Sequence, residues 1–164
     1  MMSLFEICQW LQNTEFGTSL RESIWMFPIV ESTHVLGLSI SVGTLLWMDL
    51  RLTGKFMKNQ PISQISRSVL PWTLVGFTIM TITGVLLFWC QAIKAYNSIF
   101  FKIKIALLFL AAVNAIAYHT TIYRRMDEWD KASPPPLQAR FAGWFSIVLW
   151  IGIIIAGRNM AYSF

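Results

Sequence analysis

The sequence predicts an all-α integral membrane protein, a four-helix bundle with a short helix at the membrane surface before it. The chain has 164 residues, of which 55% are hydrophobic and 13% are charged, whereas soluble domains carry about a quarter charged residues. Four apolar runs are each long enough to cross a bilayer, which takes roughly 20 residues of helix. Because they leave only short connections, we expect one transmembrane domain over residues 1–164.

The N-terminal segment carries a helix-start signal. Ser3 and Glu6 have the spacing of a capping box, in which each side chain bonds the backbone N–H of the other residue. Leu4, Ile7 and Leu11 follow on one helical face, so we expect a short helix lying at the membrane interface. No basic residue precedes these apolar residues, and no removable signal peptide is expected.

The four crossings have recognisable ends. Trp25 and Trp47 bracket the first run, and Trp72 and Trp89 bracket the second, as expected for aromatic residues anchored at the two interfaces. Pro28 falls within the first turn or two of the first run, where its missing N–H is tolerated. The predicted crossings are residues 24–48, 69–91, 99–122 and 141–161.

Positive charges predict the orientation. The connections at residues 49–67 and 124–140 lie on one face of the membrane and hold eight of the thirteen basic residues. Basic loops remain cytoplasmic, so we expect both termini outside (N-out, C-out). The net charge of +5 then needs no nucleic-acid partner. Cys8 and Cys90 share the outer side; they are interpreted as small apolar side chains, although a disulfide is geometrically feasible.

Small and hydroxyl-bearing residues recur along the first two crossings at steps of three or four, which places each series on one helical face. Such faces let helices approach closely in lipid. The two series are Thr33, Gly37, Ser41 and Thr44, and Thr73, Gly76, Met80 and Thr83.

Ionisable residues within the outer half of the crossings are the candidate site. Glu31 and His34 share a helical face in the first crossing, and Lys104 and Arg158 lie at a comparable depth in the third and fourth, with Asn159 beside them. Charged groups at such depth face a partner, a cavity or a cofactor. One interpretation is structural, with Glu31 neutralising Arg158 or a lysine. The other is that His34 is an axial ligand of heme iron.

The second axial ligand is left open by the sequence. Lys104, Lys102 and Met160 are outer-side candidates, and five-coordinate iron is the alternative. His119 lies roughly 15 to 20 Å deeper than His34 at helical rise, so the two histidines cannot share one iron. His119 either marks a second, inner site with Asn114 and Tyr118 or faces the headgroups.

Two family resemblances rest on these residues. Four stretches resemble an uncharacterised family of bacterial four-helix membrane proteins, which implies a bacterial cytoplasmic (inner) membrane. They are PIVESTHVLG (28–37), DLRLTG (49–54), the stretch from Lys104 to His119 and the terminal Gly157-Arg158. More distantly, the chain is similar to the heme-containing bacterial protoporphyrinogen oxidases, which implies a heme site at His34 and Lys104. The first crossing also resembles copper-resistance D type membrane proteins, which implies copper. The positions similar to the oxidases are His34, Gly43, Arg51, Lys104 and His119.

Three functional hypotheses follow. The first is a b-type cytochrome-like protein that binds heme b near the outer side through His34, with Glu31, Lys104, Arg158 and His119 as further site residues. It would transfer electrons to or from a quinone or a partner subunit, as an oxidoreductase or a subunit of one, in a complex or homo-oligomer. The second is a membrane anchor or assembly subunit without a cofactor. The third is a copper-handling membrane protein with His34 as a metal ligand. Hydrolytic and nucleotide motifs are absent from the sequence.

Overall fold

The computed structural model describes residues 2–132 and 134–162, except for the side chain of Asp127, and these residues form helices and no strand. Four helices are long and apolar enough to cross a membrane, which confirms the all-α four-helix fold and a multi-pass membrane protein. The helices in chain order are α1 (Leu4–Gln12), α2 (Glu15–Glu22), α3 (Met26–Leu52), α4 (Ile62–Cys90), α5 (Ala92–Asn97), α6 (Ile99–Ala117), α7 (Met126–Trp129) and α8 (Leu137–Tyr162).

The long helices extend beyond the predicted apolar runs at one end of the bundle. α4 begins at Ile62 and α8 at Leu137, earlier than the predicted positions 69 and 141, because polar first turns continue each helix out of the apolar region. Pro61 and Pro136 precede these starts, and proline favours the beginning of a helix. We call this the inner end, after the predicted orientation, and the opposite end, which holds His34, the outer end.

The N-terminal segment forms two helices rather than one. The Ser3 hydroxyl accepts from the Glu6 backbone N–H at 3.2 Å, and the Glu6 carboxylate accepts from the Ser3 N–H at 2.7 Å, so the capping box is confirmed. α2 was not predicted: it begins after Thr14, whose hydroxyl also accepts a hydrogen bond from the Trp89 indole. Cys8 and Cys90 are both buried free thiols.

The closest helix pair is α3 and α4, and the two small-residue series meet there. A Cβ added to Gly76 would lie 2.5 Å from the Ser41 backbone nitrogen and 2.8 Å from the Gly37 carbonyl oxygen. The hydroxyls of Thr44 and Thr73 are hydrogen-bonded across the same contact at 2.7 Å. The backbones therefore touch along this seam, as the spacing predicted.

The remaining contacts set the order of the helices. α3 packs on α8, and α8 packs on α6, where the Asn114 amide donates to the Ala142 carbonyl at 3.1 Å. Side chains, and not backbone contacts, join α4 to α6. The Phe88 and Phe101 rings are stacked between these two helices, with their centres 5.6 Å apart. None of the residues of α6 is buried, so much of its surface is open to lipid or to another subunit.

The DLRLTG motif holds the inner connections against the bundle. Arg51 is fully buried, and its guanidinium donates to the carbonyls of Gln60 and Ala132, which belong to two different connections. Gly54 ends α3 with φ of +74°, and a Cβ there would lie 2.8 Å from Pro135 Cδ. The motif therefore has a structural role that its sequence does not reveal.

Asp130 completes this arrangement by capping α4 from outside the helix. Its carboxylate accepts from both the backbone N–H and the hydroxyl of Ser63, each at 2.7 Å, and its own carbonyl accepts from the Ile62 N–H. Partial burial acts to raise the pKa of Asp130, but the bonds from Ser63 and Ile62 and the charge of Lys131 outweigh it and lower that pKa below its ordinary value.

Replacing Asp130 with alanine should lower the free energy of unfolding by about 1 kcal/mol at pH 7, the usual effect of losing a helix cap. A depressed folded-state pKa contributes stability above the unfolded value of 3.8, and the contribution is lost as pH falls through the folded value. Thermal melts of both proteins from pH 7 to pH 3 should show a constant difference above pH 5 that shrinks below pH 4. A difference that grows in acid would contradict this assignment.

Candidate functional site

Five residues from the four long helices meet at one level near the outer end, and we call them the outer site: His34, Thr83, Gly84, Lys104 and Gly157. Each lies five to eight residues from the outer end of its helix, or about 8 to 12 Å at helical rise. Two of them, His34 and Lys104, were predicted from the sequence as site residues, and the structure places both at this level.

His34 is half-buried and is oriented by Thr83. Its Nδ1 lies 2.9 Å from the Thr83 hydroxyl oxygen, and that hydroxyl donates its own proton to the Ile79 carbonyl at 2.6 Å. Thr83 therefore accepts from His34, which places the imidazole proton on Nδ1. The Nε2 lone pair remains for a ligand, since a neutral imidazole has one donor and one acceptor nitrogen.

Two glycines leave room for the side chains of His34 and Lys104. A Cβ added to Gly84 would lie 3.2 Å from His34 Cε1, and one added to Gly157 would lie 3.6 Å from Lys104 Nζ. The imidazole thus packs directly over the backbone of α4, and the lysine over that of α8. Larger residues at either position would move the nitrogen-bearing side chains.

Lys104 is half-buried and close enough to His34 to interact with it electrostatically. Within residues 2–132 and 134–162, no carboxylate forms an ion pair with it. A lysine ammonium in such a place is costly in lipid, whereas its neutral amine has a lone pair. The outer site therefore offers two nitrogen donors from different helices.

Glu31 and Arg158 do not join the outer site. Glu31 is exposed, and the expected ion pair with Arg158 or a lysine is not formed among the described residues. Arg158 instead donates to the Tyr162 hydroxyl and lies over that ring, 4.8 Å from its centre. Asn159 donates to the Ile155 carbonyl of its own helix. The sequence placed these residues at the correct depth but not on the correct face, because the rotation of each helix depends on its neighbours.

His119 lies at the other end of the bundle, in a π-helical turn over Tyr118–Ile122 that continues α6. It is exposed, and its ring packs against those of Tyr118 and Tyr123, with centres 5.4 and 5.2 Å away. The predicted inner partner Asn114 is bonded to α8 instead. The described residues contain no cluster of three or more His, Cys, Asp or Glu side chains that could hold a metal ion.

Sequence reasoning missed the roles of Thr83, Gly84 and Gly157. Thr83 was assigned to the small-residue series of the second crossing, which is correct for α3–α4 packing but says nothing about a bond to His34. A hydroxyl one helix away at the depth of an intramembrane histidine is the signal that could have indicated this pair.

The fold and the outer site define a multi-pass α-helical membrane protein with an inward-facing histidine and lysine near one surface. The chain belongs to a family of unknown function (DUF6644), whose model matches residues 23–163. No curated protein and no solved structure matches the chain.

Proposed function

We propose that this protein is a b-type cytochrome-like membrane protein that binds heme b at the outer site and takes part in electron transfer. The observation that carries the proposal is the bond from His34 Nδ1 to Thr83, which leaves Nε2 available. Histidines that ligate metals almost always have the other ring nitrogen bonded in this manner. A porphyrin provides four ligands itself, so one imidazole suffices to hold the iron.

Lys104 would be the second residue to hold the heme in this proposal. It reaches the same level as His34 from α6 and has no carboxylate partner among the described residues. The stacked Phe88 and Phe101 rings lie between α4 and α6, and they would have to move apart for a flat macrocycle to enter between these helices. Heme supplies a one-electron couple when bound, while His34 and Lys104 hold it and set its potential.

The open surface of α6 supports the proposal that the protein acts as a subunit of a larger complex, with a quinone or a redox subunit as partner. That helix has no buried residue although it carries Lys104. The same surface favours the second candidate, an anchor or assembly subunit without cofactor. In that case Lys104 and His34 only pack against the neighbouring helices.

An absorption spectrum of the protein, produced with sufficient heme, tests the proposal. We expect a Soret band that shifts on reduction and is lost in His34→Ala, because the variant lacks the axial nitrogen. His119→Ala is the matched control and should keep the band, since His119 lies at the opposite end. Thr83→Val should keep the fold and weaken heme binding about 10- to 100-fold, the usual effect of removing such a hydrogen bond.

Lys104→Ala separates the two axial ligands. Its heme should remain bound but change from six- to five-coordinate, which is visible in the absorption and electron paramagnetic resonance spectra. An unchanged coordination would remove Lys104 from the ligand set and leave His34 in it. A folded wild-type protein that stays colourless with added heme would contradict the whole proposal and favour the anchor subunit.

A further inference from the structure

A second polar group lies at the inner end and is not used by the proposed function. Asp49 of α3 is 5% exposed, and Ser146 of α8 and Tyr118, at the end of α6, are each 7% exposed. The Ser146 hydroxyl lies near the Asp49 carboxyl group, and Tyr118 is close enough to that group to interact with it electrostatically. We call these three residues the inner site.

Asp49 is a buried acid without a basic partner. No ion pair to it occurs within the described part of the chain, and the neighbouring Arg51 is directed to the Gln60 and Ala132 carbonyls. A lone carboxylate is very costly to remove from water, so a buried one either takes up a proton or has a positive charge beside it. The described side chains do not supply that charge, which leaves a proton or a bound cation to neutralise Asp49.

Tyr118 provides an independent indication of a ligand. Its hydroxyl is buried and has no hydrogen-bond partner, although Asp49 is close enough to interact with it electrostatically. Buried hydroxyls are nearly always bonded, so this oxygen faces a position that another group is expected to fill. The residue also opens a π-helical turn, a distortion that is frequent at functional sites.

The backbone brings these oxygens together. A Cβ added to Gly143 would lie 2.9 Å from both the Asp49 carbonyl oxygen and the Leu52 Cβ, so α8 approaches α3 closely at this level. That approach places Ser146, one turn further along α8, against the Asp49 side chain. The site is three residues from the end of α3, about 5 Å at helical rise, and so lies near the aqueous phase.

We propose that the inner site binds a monovalent alkali cation, with the Asp49 carboxylate, the Ser146 hydroxyl and the Tyr118 hydroxyl as oxygen ligands. All three ligands are hard oxygens, which suit alkali and alkaline-earth ions rather than soft metals. One carboxylate balances one positive charge, whereas a divalent ion would leave a net charge buried in lipid.

Thermal melts of the purified protein, followed by tryptophan fluorescence, test this proposal with sodium and potassium as probes. Choline chloride replaces each salt at constant ionic strength. Because a ligand that binds only the folded state stabilises it, we expect a saturable rise in melting temperature of about 5 °C with one of the two cations. Tyr118→Phe should need a several-fold higher concentration of that cation, and Asp49→Asn should lose the rise.

Asp130→Asn is the control for removal of an inner acidic charge, and it should keep the cation-dependent rise from its own baseline. If Asp49→Asn does not fold, Ser146→Ala and Tyr118→Phe provide the same comparison. Equal melting temperatures in sodium, potassium and choline, or a rise that persists in Asp49→Asn, would overturn the proposal. The measurement does not depend on heme, and His34→Ala should show the same cation response as the wild type.

Discussion

Replacing Gly76 with alanine should lower the melting temperature of the protein by about 6 to 12 °C. The added methyl would meet the Ser41 nitrogen, the Gly37 carbonyl oxygen and the Ser41 Cα at 2.5 to 2.9 Å. All of these are backbone atoms of α3, so no side chain can rotate away and the helices must separate. Overpacking of this kind costs about 3 kcal/mol, which corresponds to the stated shift for a protein of this size.

Gly43→Ala is the matched control for this measurement. It makes the same substitution in α3, where an added Cβ would have no neighbour within 4 Å. Its stability should therefore stay within about 1 kcal/mol of the wild type, the range of glycine-to-alanine helix propensity. If both variants melted alike, the α3–α4 backbone contact would not determine the stability of the bundle.

Replacing Arg51 with methionine should destabilise the protein by about 3 kcal/mol, as expected when buried carbonyls lose a charged hydrogen-bond donor. The Gln60 and Ala132 carbonyls would lose their donor, and both inner connections would be released from the bundle. Hydrogen exchange should therefore become faster in residues 53–61 and 130–132, while α3 and α4 at the outer end stay protected.

Two further variants define the role of Arg51. Arg51→Lys keeps the charge but lacks the planar fork that reaches two carbonyls, so its stability should lie between those of the wild type and Arg51→Met. Arg67 is an exposed basic residue of the inner end, and Arg67→Met should change neither stability nor exchange. Faster exchange throughout the bundle in Arg51→Met would indicate general unfolding instead of local release.

Local sequence signals predicted the elements that depend on one helix or on spacing alone. The capping box of Ser3 and Glu6 and the small-residue faces around Gly37 and Gly76 formed as expected, because periodicity fixes which residues share a face. Helix starts at the inner end were predicted too late, since hydropathy reports burial in lipid and α4 continues from Pro61 through a polar turn.

Features that depend on several helices were predicted in part. Depth along a helix follows from residue counting, which correctly grouped His34 with Lys104 and separated both from His119. Rotation about the axis does not follow from counting, and Glu31 and Arg158 were therefore placed in the outer site although Glu31 is exposed and Arg158 bonds to Tyr162.

The sequence alone determined two things: the four-helix membrane fold and the depth at which the ionisable residues lie. Both follow from apolar run length and helical rise, which are properties of a single segment. Only the tertiary structure decided that Thr83 orients His34, that Arg51 and Asp130 hold the inner connections, and that Asp49 is buried beside Ser146 and Tyr118. Apart from the bond between Arg51 and Gln60, these contacts join residues 49 to 97 positions apart in the sequence, and their geometry is fixed by how the helices pack against one another.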